Sequence, residues 1–160
     1  MARKALMIAA GILFAGGVAV TSGCYCAFYT DLKVCLAQAD AAFAGTVVKI
    51  EEIYPAMVGT NRMWSRWKVT LRVSQTWKGT NAPELAVRTD MADNNCGYYF
   101  LKGSNYVVFA SSGGAVGTGS AEMFTSNCNG TRTWAEVASD LAQLGEGRTP
   151  PTNSNTKTTH

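Results

Sequence analysis

The stretch Met63–Trp77 carries the clearest strand pattern in the chain, because apolar and polar side chains alternate along it. One face comprises Met63, Ser65, Trp67, Val69, Leu71, Val73 and Trp77, and the other comprises Trp64, Arg66, Lys68, Thr70, Arg72 and Ser74. A period of two places one face against a core and the other in water, as in an antiparallel sheet. The length of the stretch predicts a strand that bends and serves two parts of a barrel.

Four further strands and a short helix are predicted from local patterns. The strands cover Ala41–Ile53, Glu84–Thr89, Asn105–Ser111 and Ala121–Ser126, and turn residues in Tyr54–Asn61 predict a loop between the first two strands. The helix precedes them over Asp31–Asp40, because one helical face collects the less polar residues Leu32, Cys35, Leu36 and Ala39.

A second helix is predicted near the C-terminus. Thr133 and Glu136 have the spacing of a capping box, and Gly145 suits the position after the last turn. The apolar stripe of this helix comprises Trp134, Val137, Ala138, Leu141 and Leu144. We interpret Trp134 as a core anchor.

This order of elements predicts a mainly β fold, a five-stranded antiparallel OB-fold barrel with a short N-terminal helix and a C-terminal helix. The joins are rich in turn residues, and strands do not alternate with helices as they do in α/β folds. A β-sandwich is the alternative, although it usually contains more strands.

The two ends of the chain are predicted to lie outside the folded domain. Arg3 and Lys4 precede the apolar run Ala5–Val20, and small or polar residues follow, which is the layout of a secretory signal peptide over residues 1–23. A membrane span is disfavoured because a bilayer needs about 20 apolar residues. The folded domain then covers residues 24–147 of a secreted protein, and the polar segment 148–160 is a disordered tail.

Composition argues against several classes of function. The single histidine is His160, in the predicted tail, so the folded domain has no histidine for a catalytic triad, a Cys–His pair or a zinc site. Phosphate-binding glycine motifs are absent from the sequence, and the net charge of +3 is scattered. We therefore expect no enzyme, no cofactor, no metal of the protein's own and no nucleic-acid partner.

Five cysteines follow the signal segment: Cys24, Cys26, Cys35, Cys96 and Cys128. Export takes them to an oxidising compartment, where disulfides persist. Their number is odd, so at least one remains a thiol, is lipidated or pairs with another chain. Cleavage after Gly23 would make Cys24 the first residue of the mature protein.

Several motifs together resemble the N-terminal domain of the tissue inhibitors of metalloproteinases. They are the start Cys24–Tyr25–Cys26, Cys35 with Asp40 and Ala41–Phe43, the stretch Trp67–Gly79, Asn94–Phe100, and Phe124–Cys128. The resemblance covers about Cys24 to Leu144. It implies a netrin-like OB-fold and the disulfides Cys24–Cys96 and Cys26–Cys128. It assigns no disulfide to Cys35, because no cysteine follows Cys128.

The resemblance also implies a mechanism, in which the α-amino group and carbonyl of Cys24 chelate the zinc of a metalloendopeptidase. Tyr25 would enter the specificity pocket of that protease. Asn94, Asn95 and Cys96 would form the second half of the inhibitory wedge. Two departures concern Tyr25, where the family has a small residue, and the segment after Cys26, where Ala27 and Phe28 replace prolines. The side chain of Tyr25 would fit only a deep pocket.

Cys24 also lies where a bacterial lipoprotein is acylated. Ser22 and Gly23 suit that motif, whereas Thr21 replaces the usual Leu, Val or Ile. Lipidation would occupy the sulfur of Cys24 and leave Cys26–Cys128 and Cys35–Cys96 as possible disulfides. The alternative function is therefore a binding module without inhibitory activity, anchored to the cell envelope by a lipid on Cys24. A membrane is an expected partner only if Cys24 carries this lipid.

Overall fold

Five strands close into a ring in the computed structural model, which describes residues 26, 31–53, 66–90, 96–113 and 122–151. The elements, in chain order, are α1 (Leu32–Gln38), β1 (Ala41–Ile53), β2 (Arg66–Lys78), β3 (Glu84–Asp90), β4 (Asn105–Ser112), β5 (Met123–Phe124), a first 3₁₀ helix (Asn127–Asn129), β6 (Arg132–Thr133), α2 (Trp134–Val137) and a second 3₁₀ helix (Leu141–Leu144). The ring runs β1–β2–β3–β5–β4 and returns from β4 to β1, while β6 pairs with β4 outside the ring. The mainly β prediction is confirmed.

The prediction that every pair is antiparallel is wrong for β3 and β5, which run parallel through Val87↔Met123 and Arg88↔Phe124. The reason is geometric. Strand directions cannot alternate all the way round a ring with an odd number of strands, so one neighbouring pair must be parallel. The structure also adds β6, a two-residue strand that the sequence patterns did not predict.

The predicted alternation of β2 holds from Val69 to Val73 and then changes face. Ala44 pairs with Gln75 and Gly45 pairs with Val73, so Ser74 is an extra residue, a β-bulge. The next side chain on the inner face is therefore Thr76, which is fully buried. Trp77 packs instead against a second core on the outer side, so its predicted place on the inner face is wrong.

Two hydrophobic cores lie on opposite sides of the β1–β4 part of the ring. The inner core fills the ring and includes Phe43, Val47, Val69, Leu71, Val87, Tyr106 and Val108. The second core lies between the outer face and the helices and includes Leu32, Cys35, Ala39, Ala42, Ala44, Val107, Phe109, Val137 and Leu144. The predicted helix α1 is confirmed, and Asp31 caps it by accepting a hydrogen bond from the backbone N–H of Lys33 at 2.8 Å.

The predicted C-terminal helix is broken into α2 and the second 3₁₀ helix. Its capping box is confirmed: Glu136 Oε2 accepts from the Thr133 N–H at 2.8 Å, and Thr133 Oγ1 accepts from the Glu136 N–H at 3.4 Å. The helix ends early because Ser139 and Asp140 are weak helix formers. Val137 is buried in the second core, whereas Trp134 is 36% exposed, so its predicted role as a core anchor is wrong.

The structure differs from the predicted domain boundary at Gly147. Arg148 exchanges two backbone hydrogen bonds of 2.8 Å with Thr76, and its guanidinium donates to the carbonyl of Gly79 at 2.8 Å. Pro150 is buried. The chain is therefore part of the fold beyond Gly147, and the rest of the predicted tail, 152–160, lies outside the described residues. The predicted signal peptide and the predicted loop at 54–61 lie outside them as well.

We expect Gly130→Ala to destabilise the protein more than Gly103→Ala. Both glycines have a left-handed φ, 87° at Gly130 and 85° at Gly103, so both substitutions carry the same backbone cost of about 1 kcal/mol. A Cβ at Gly130 would lie 2.3 Å from Cys35 Sγ, whereas one at Gly103 would meet nothing within 4 Å. Urea unfolding should therefore give a further loss of about 1–3 kcal/mol for Gly130→Ala. Equal losses would contradict this packing.

We also expect the stabilisation that Asp40 provides to disappear at acidic pH. The hydroxyl and backbone N–H of Ser112 each donate to Asp40 Oδ2 at 2.6 Å, and these hydrogen bonds lower the pKa of the Asp40 carboxyl. A lowered folded pKa stabilises the fold above the unfolded value of about 3.9, and this contribution is lost as the pH falls through the folded value. The difference in Tm between wild type and Asp40→Asn should be constant above about pH 5 and shrink as the pH falls below about 4. Glu146→Gln is the control, and a difference that does not change with pH would contradict the assignment.

Candidate functional site

A disulfide between Cys26 and Cys128 ties the beginning of the domain to the first 3₁₀ helix. The two residues are 102 positions apart in sequence, and their Cα atoms are 5.1 Å apart. Cys26 is buried, with 7% of its surface exposed. The predicted pairing of Cys26 with Cys128 is confirmed.

Local hydrogen bonds hold the loop around Cys128 in one conformation. Ser126 Oγ accepts from the backbone N–H of Cys128 at 3.2 Å and donates to Asn129 Oδ1 at 2.5 Å. Asn129 Nδ2 in turn donates to Ser111 Oγ at 3.3 Å, at the end of β4. Gly130 then ends the 3₁₀ helix with a left-handed φ. A serine two residues before the cysteine is the local sequence signal for this turn.

Two buried threonines fasten the same loop to the ring. Thr125 donates its backbone N–H to the carbonyl of Arg88 on β3 and its hydroxyl to the carbonyl of Phe109 on β4, each at 2.8 Å. Thr131 Oγ1 accepts from the Phe109 N–H at 3.0 Å and lies 2.7 Å from Thr125 Oγ1. Both side chains are almost fully buried, so their hydrogen bonds cannot be exchanged for water without opening the core.

Cys96 lies beside this loop in a strained conformation. Its φ is 59°, the only positive value among the described non-glycine residues, and a left-handed φ costs such a residue about 1–2 kcal/mol. The carbonyl of Cys96 accepts from the backbone N–H of Asn127 at 2.8 Å. Cys96 is itself disulfide-bonded. Its predicted partner, Cys24, lies outside the described residues, so that pairing stays a prediction.

The segment after Cys96 is anchored to the ring by alternate aromatic side chains. Tyr98, Phe100 and Tyr106 pack with ring centroids 4.8–5.8 Å apart. The backbone N–H of Tyr98 donates to Thr89 Oγ1 at 2.7 Å, and the N–H of Leu101 donates to the Tyr106 hydroxyl at 2.9 Å. Burial raises the pKa of the Tyr98 hydroxyl above its usual value, so Tyr98 stays neutral.

The alternate side chains of this segment face outward and were not predicted as part of a site. Tyr99 is 70% exposed and Leu101 is 52% exposed. Tyr99 lines a cavity of about 170 Å³ together with Ile50, Trp67, Val69, Thr89, Tyr98 and Phe100. The sequence carries no signal for this alternation, because Tyr98, Tyr99, Phe100 and Leu101 are all large and mostly apolar, and only the structure shows which of them are buried.

The structure therefore brings three of the predicted residues together, Cys26, Cys96 and Cys128. The others, Cys24, Tyr25, Asn94 and Asn95, lie outside the described residues. An ion pair fixes the strand end from which the segment carrying the two asparagines departs. In it, Arg66 Nε donates to Asp90 Oδ1 at 2.9 Å, between the first residue of β2 and the last residue of β3.

Cys35 has a different environment from the other described cysteines. It is 2% exposed in the second core, and burial raises the pKa of its thiol against the opposing effect of the Arg132 charge. A thiol with a raised pKa is a poor nucleophile and a poor metal ligand. Cys35 therefore packs as a small apolar side chain, as expected from its place on the α1 face.

The cysteine and acidic side chains of the described residues form no group of three or more that could hold a metal ion. None of the helices in this part of the chain is long and apolar enough to cross a membrane.

Comparison of the sequence with protein-family models gives no match, and comparison with curated proteins gives none.

Proposed function

We propose that the protein is a secreted inhibitor of zinc metalloendopeptidases, in which the α-amino group and carbonyl of Cys24 occupy the zinc of the protease. The observation that carries this proposal is the convergence of two disulfide-bonded cysteines on one loop. Cys128 holds Cys26, and the N–H of Asn127, the residue before Cys128, donates to the carbonyl of Cys96.

Elimination among the five cysteines supports Cys24 as the disulfide partner of Cys96. Cys26 and Cys128 bond to each other, Cys96 is in another disulfide, and Cys35 is a thiol. Cys24 is the remaining cysteine of the five in the sequence. Two residues span at most about 7 Å, so Cys24 stays close to Cys26, whose partner Cys128 follows the residue that donates to the carbonyl of Cys96.

The proposed inhibitory chemistry needs a free N-terminus in one position. A catalytic zinc keeps one coordination site open for water or substrate, and a neutral amine with an adjacent carbonyl can take it. The α-amine has a reference pKa of about 7.7–8.0 and ligates only after losing its proton. Tyr25 would then enter the specificity pocket, and Asn94 and Asn95 would contact the other side of the cleft.

Rigid packing around Cys96 would lower the entropic cost of binding. Its left-handed φ is maintained by the disulfide, by the Asn127 hydrogen bond and by the aromatic anchors that follow. Ordering an interface on binding costs about 0.5–1.5 kcal/mol for each flexible side chain, so a preformed wedge binds more tightly than a flexible one.

The order of strands supports a netrin-like OB-fold as part of the same proposal. β1, β2 and β3 are consecutive antiparallel neighbours, and β4 returns to lie beside β1. This is the arrangement of a Greek key, and the OB-fold is a five-stranded Greek-key barrel.

The lipid-anchored alternative receives less support. A lipid on the sulfur of Cys24 would remove the partner proposed for Cys96. That alternative expects a Cys35–Cys96 disulfide, whereas Cys35 is a thiol in the second core and Cys96 is disulfide-bonded. We therefore propose no acylation and no catalytic activity.

Two measurements test the proposal on the natural secreted protein. Intact-mass analysis should give a chain that begins at Cys24, lighter by the hydrogens of two disulfides. The same preparation should inhibit at least one member of a panel of zinc endopeptidases. Added acyl mass, or a correct N-terminus without any inhibition, would overturn the proposal.

A further inference from the structure

We propose that a shallow groove beside Trp134 binds a neutral oligosaccharide. The groove has a volume of about 450 Å³ and is lined by Gly45, Thr46, Ser74, Gln75, Asn105 and Trp134. This volume lies in the range of small-molecule sites. The proposal is independent of the inhibitory function, because none of the residues that line the groove belongs to the cysteine site.

The fold explains why the groove is open. Thr46 and Asn105 are register partners on β1 and β4, and their neighbours Val47 and Tyr106 face the inner core. Since side chains alternate along a strand, Thr46 and Asn105 face outward. Nearer the start of β1, the outward residues Ala42 and Ala44 are covered by the helices of the second core. The groove lies at the next outward position along the strand, Thr46.

Backbone features give the groove its floor and one wall. Gly45 contributes no side chain, and a Cβ there would lie 2.6 Å from the carbonyl oxygen of Arg72, so only glycine allows this close approach of β1 and β2. The bulge at Ser74 places Ser74 and Gln75 next to each other along the groove. Gly147 packs against the Gln75 side chain, where a Cβ would come within 2.4 Å.

The position of Trp134 is set by its neighbours in sequence. Thr133 pairs with Tyr106 of β4 and also caps α2 through the box with Glu136. These two constraints fix the first turn of α2 with Val137 in the second core and Trp134 at the edge of the groove. Trp134 is 36% exposed, so part of a large apolar side chain is available to a ligand.

The lining chemistry selects an uncharged, hydroxyl-rich ligand. The hydroxyls of Thr46 and Ser74 donate within the protein, to Asn105 Oδ1 and to the carbonyl of Ala44, and keep lone pairs that can accept from a ligand. The amides of Gln75 and Asn105 supply N–H donors, so the groove offers both functions to sugar hydroxyls. Thr46 Oγ1 donates to Asn105 Oδ1 at 2.5 Å, which orients the amide with its Nδ2 directed away from Thr46. None of the lining side chains is ionisable, so a phosphate or carboxylate would find no charged partner here.

An exposed indole next to such groups fits a pyranose ring. The C–H face of a pyranose is apolar, and an indole can cover it while the hydroxyls at the rim of the ring bond to amides and hydroxyls. A purely apolar ligand would leave the four polar side chains of the groove without new partners, which disfavours it.

The test uses the full secreted chain with cellotriose and tri-N-acetylchitotriose as probes, followed by titration calorimetry and saturation-transfer NMR. We expect at least one trisaccharide to bind, with contacts from the sugar C–H protons to the indole. Trp134→Ala should weaken binding at least about tenfold, while Trp134→Phe should retain most of it. Asn105→Ala should weaken binding with the Tm close to that of wild type.

The matched control is Tyr99→Ala, which removes a more exposed aromatic side chain from a different cavity and should leave the affinity unchanged. Absence of binding by both trisaccharides at about 10 mM would overturn the proposal. Equal affinity of wild type and Trp134→Ala would also overturn it, as would binding of sulfated but not neutral sugars.

Discussion

Adding one alanine before Cys24 is expected to weaken inhibition of a zinc metalloendopeptidase at least about a thousandfold, which corresponds to about 4 kcal/mol. The extension converts the α-amine of Cys24 into a peptide nitrogen. A peptide nitrogen does not ligate zinc while it carries its hydrogen. It also places an extra residue where the wedge must approach the metal. The inhibition constant of each form, measured against the same protease, gives the ratio directly.

The matched control for this extension is one alanine added after His160, which should leave inhibition unchanged. Both extended proteins should keep the Tm of wild type, because the described core includes neither end of the chain. If the form extended at Cys24 inhibits as well as the wild type, chelation by the N-terminus is wrong, even if the protein is an inhibitor by another route.

Replacing the Cys26–Cys128 disulfide with two alanines is expected to lower the free energy of unfolding by about 4 kcal/mol. The bond joins residues 102 positions apart, but with the proposed Cys24–Cys96 bond intact the loop that it closes holds about 36 residues, and this loop length sets its effect on the unfolded chain in the chain-entropy model. Marginal stability is about 5–15 kcal/mol for a domain, so this loss is a large share of the total. Urea unfolding of wild type and Cys26→Ala/Cys128→Ala, both without reductant, gives the difference.

Cys35→Ala is the control for the disulfide variant, because it also removes a buried sulfur but breaks no crosslink. Its cost should stay near that of a small core deletion, about 1 kcal/mol. A disulfide variant no less stable than Cys35→Ala would show that the crosslink contributes little to the fold.

Local patterns predicted most of the secondary structure, because each depends on residues close together in sequence. The bounds of β1, the apolar face of α1 and the capping box of Thr133 and Glu136 are examples. The broken C-terminal helix shows the limit of such patterns. A continuous apolar stripe was present, yet Ser139 and Asp140 interrupt the helix between Val137 and Leu141.

The candidate site was only partly predictable. The resemblance to the metalloproteinase inhibitors implied the Cys26–Cys128 bond, and the structure confirms it. It did not imply the strained φ of Cys96 or the hydrogen bond from Asn127 to its carbonyl. Both depend on how two loops distant in sequence meet, and a backbone hydrogen bond leaves no signature in side-chain composition.

The sequence by itself determined where the five strands of the ring lie, which faces of α1 and β2 are apolar as far as Val73, and which cysteines are available for crosslinks. Only the tertiary structure decided the parallel pairing of β3 with β5, the change of face at Ser74 and the exposure of Trp134. The physical reason is that side-chain periodicity acts over a few residues, whereas ring closure, bulges and strand neighbours depend on contacts between distant segments. The ring of strands likewise determined that Cys26, Cys96 and Cys128, which are far apart in sequence, lie close together.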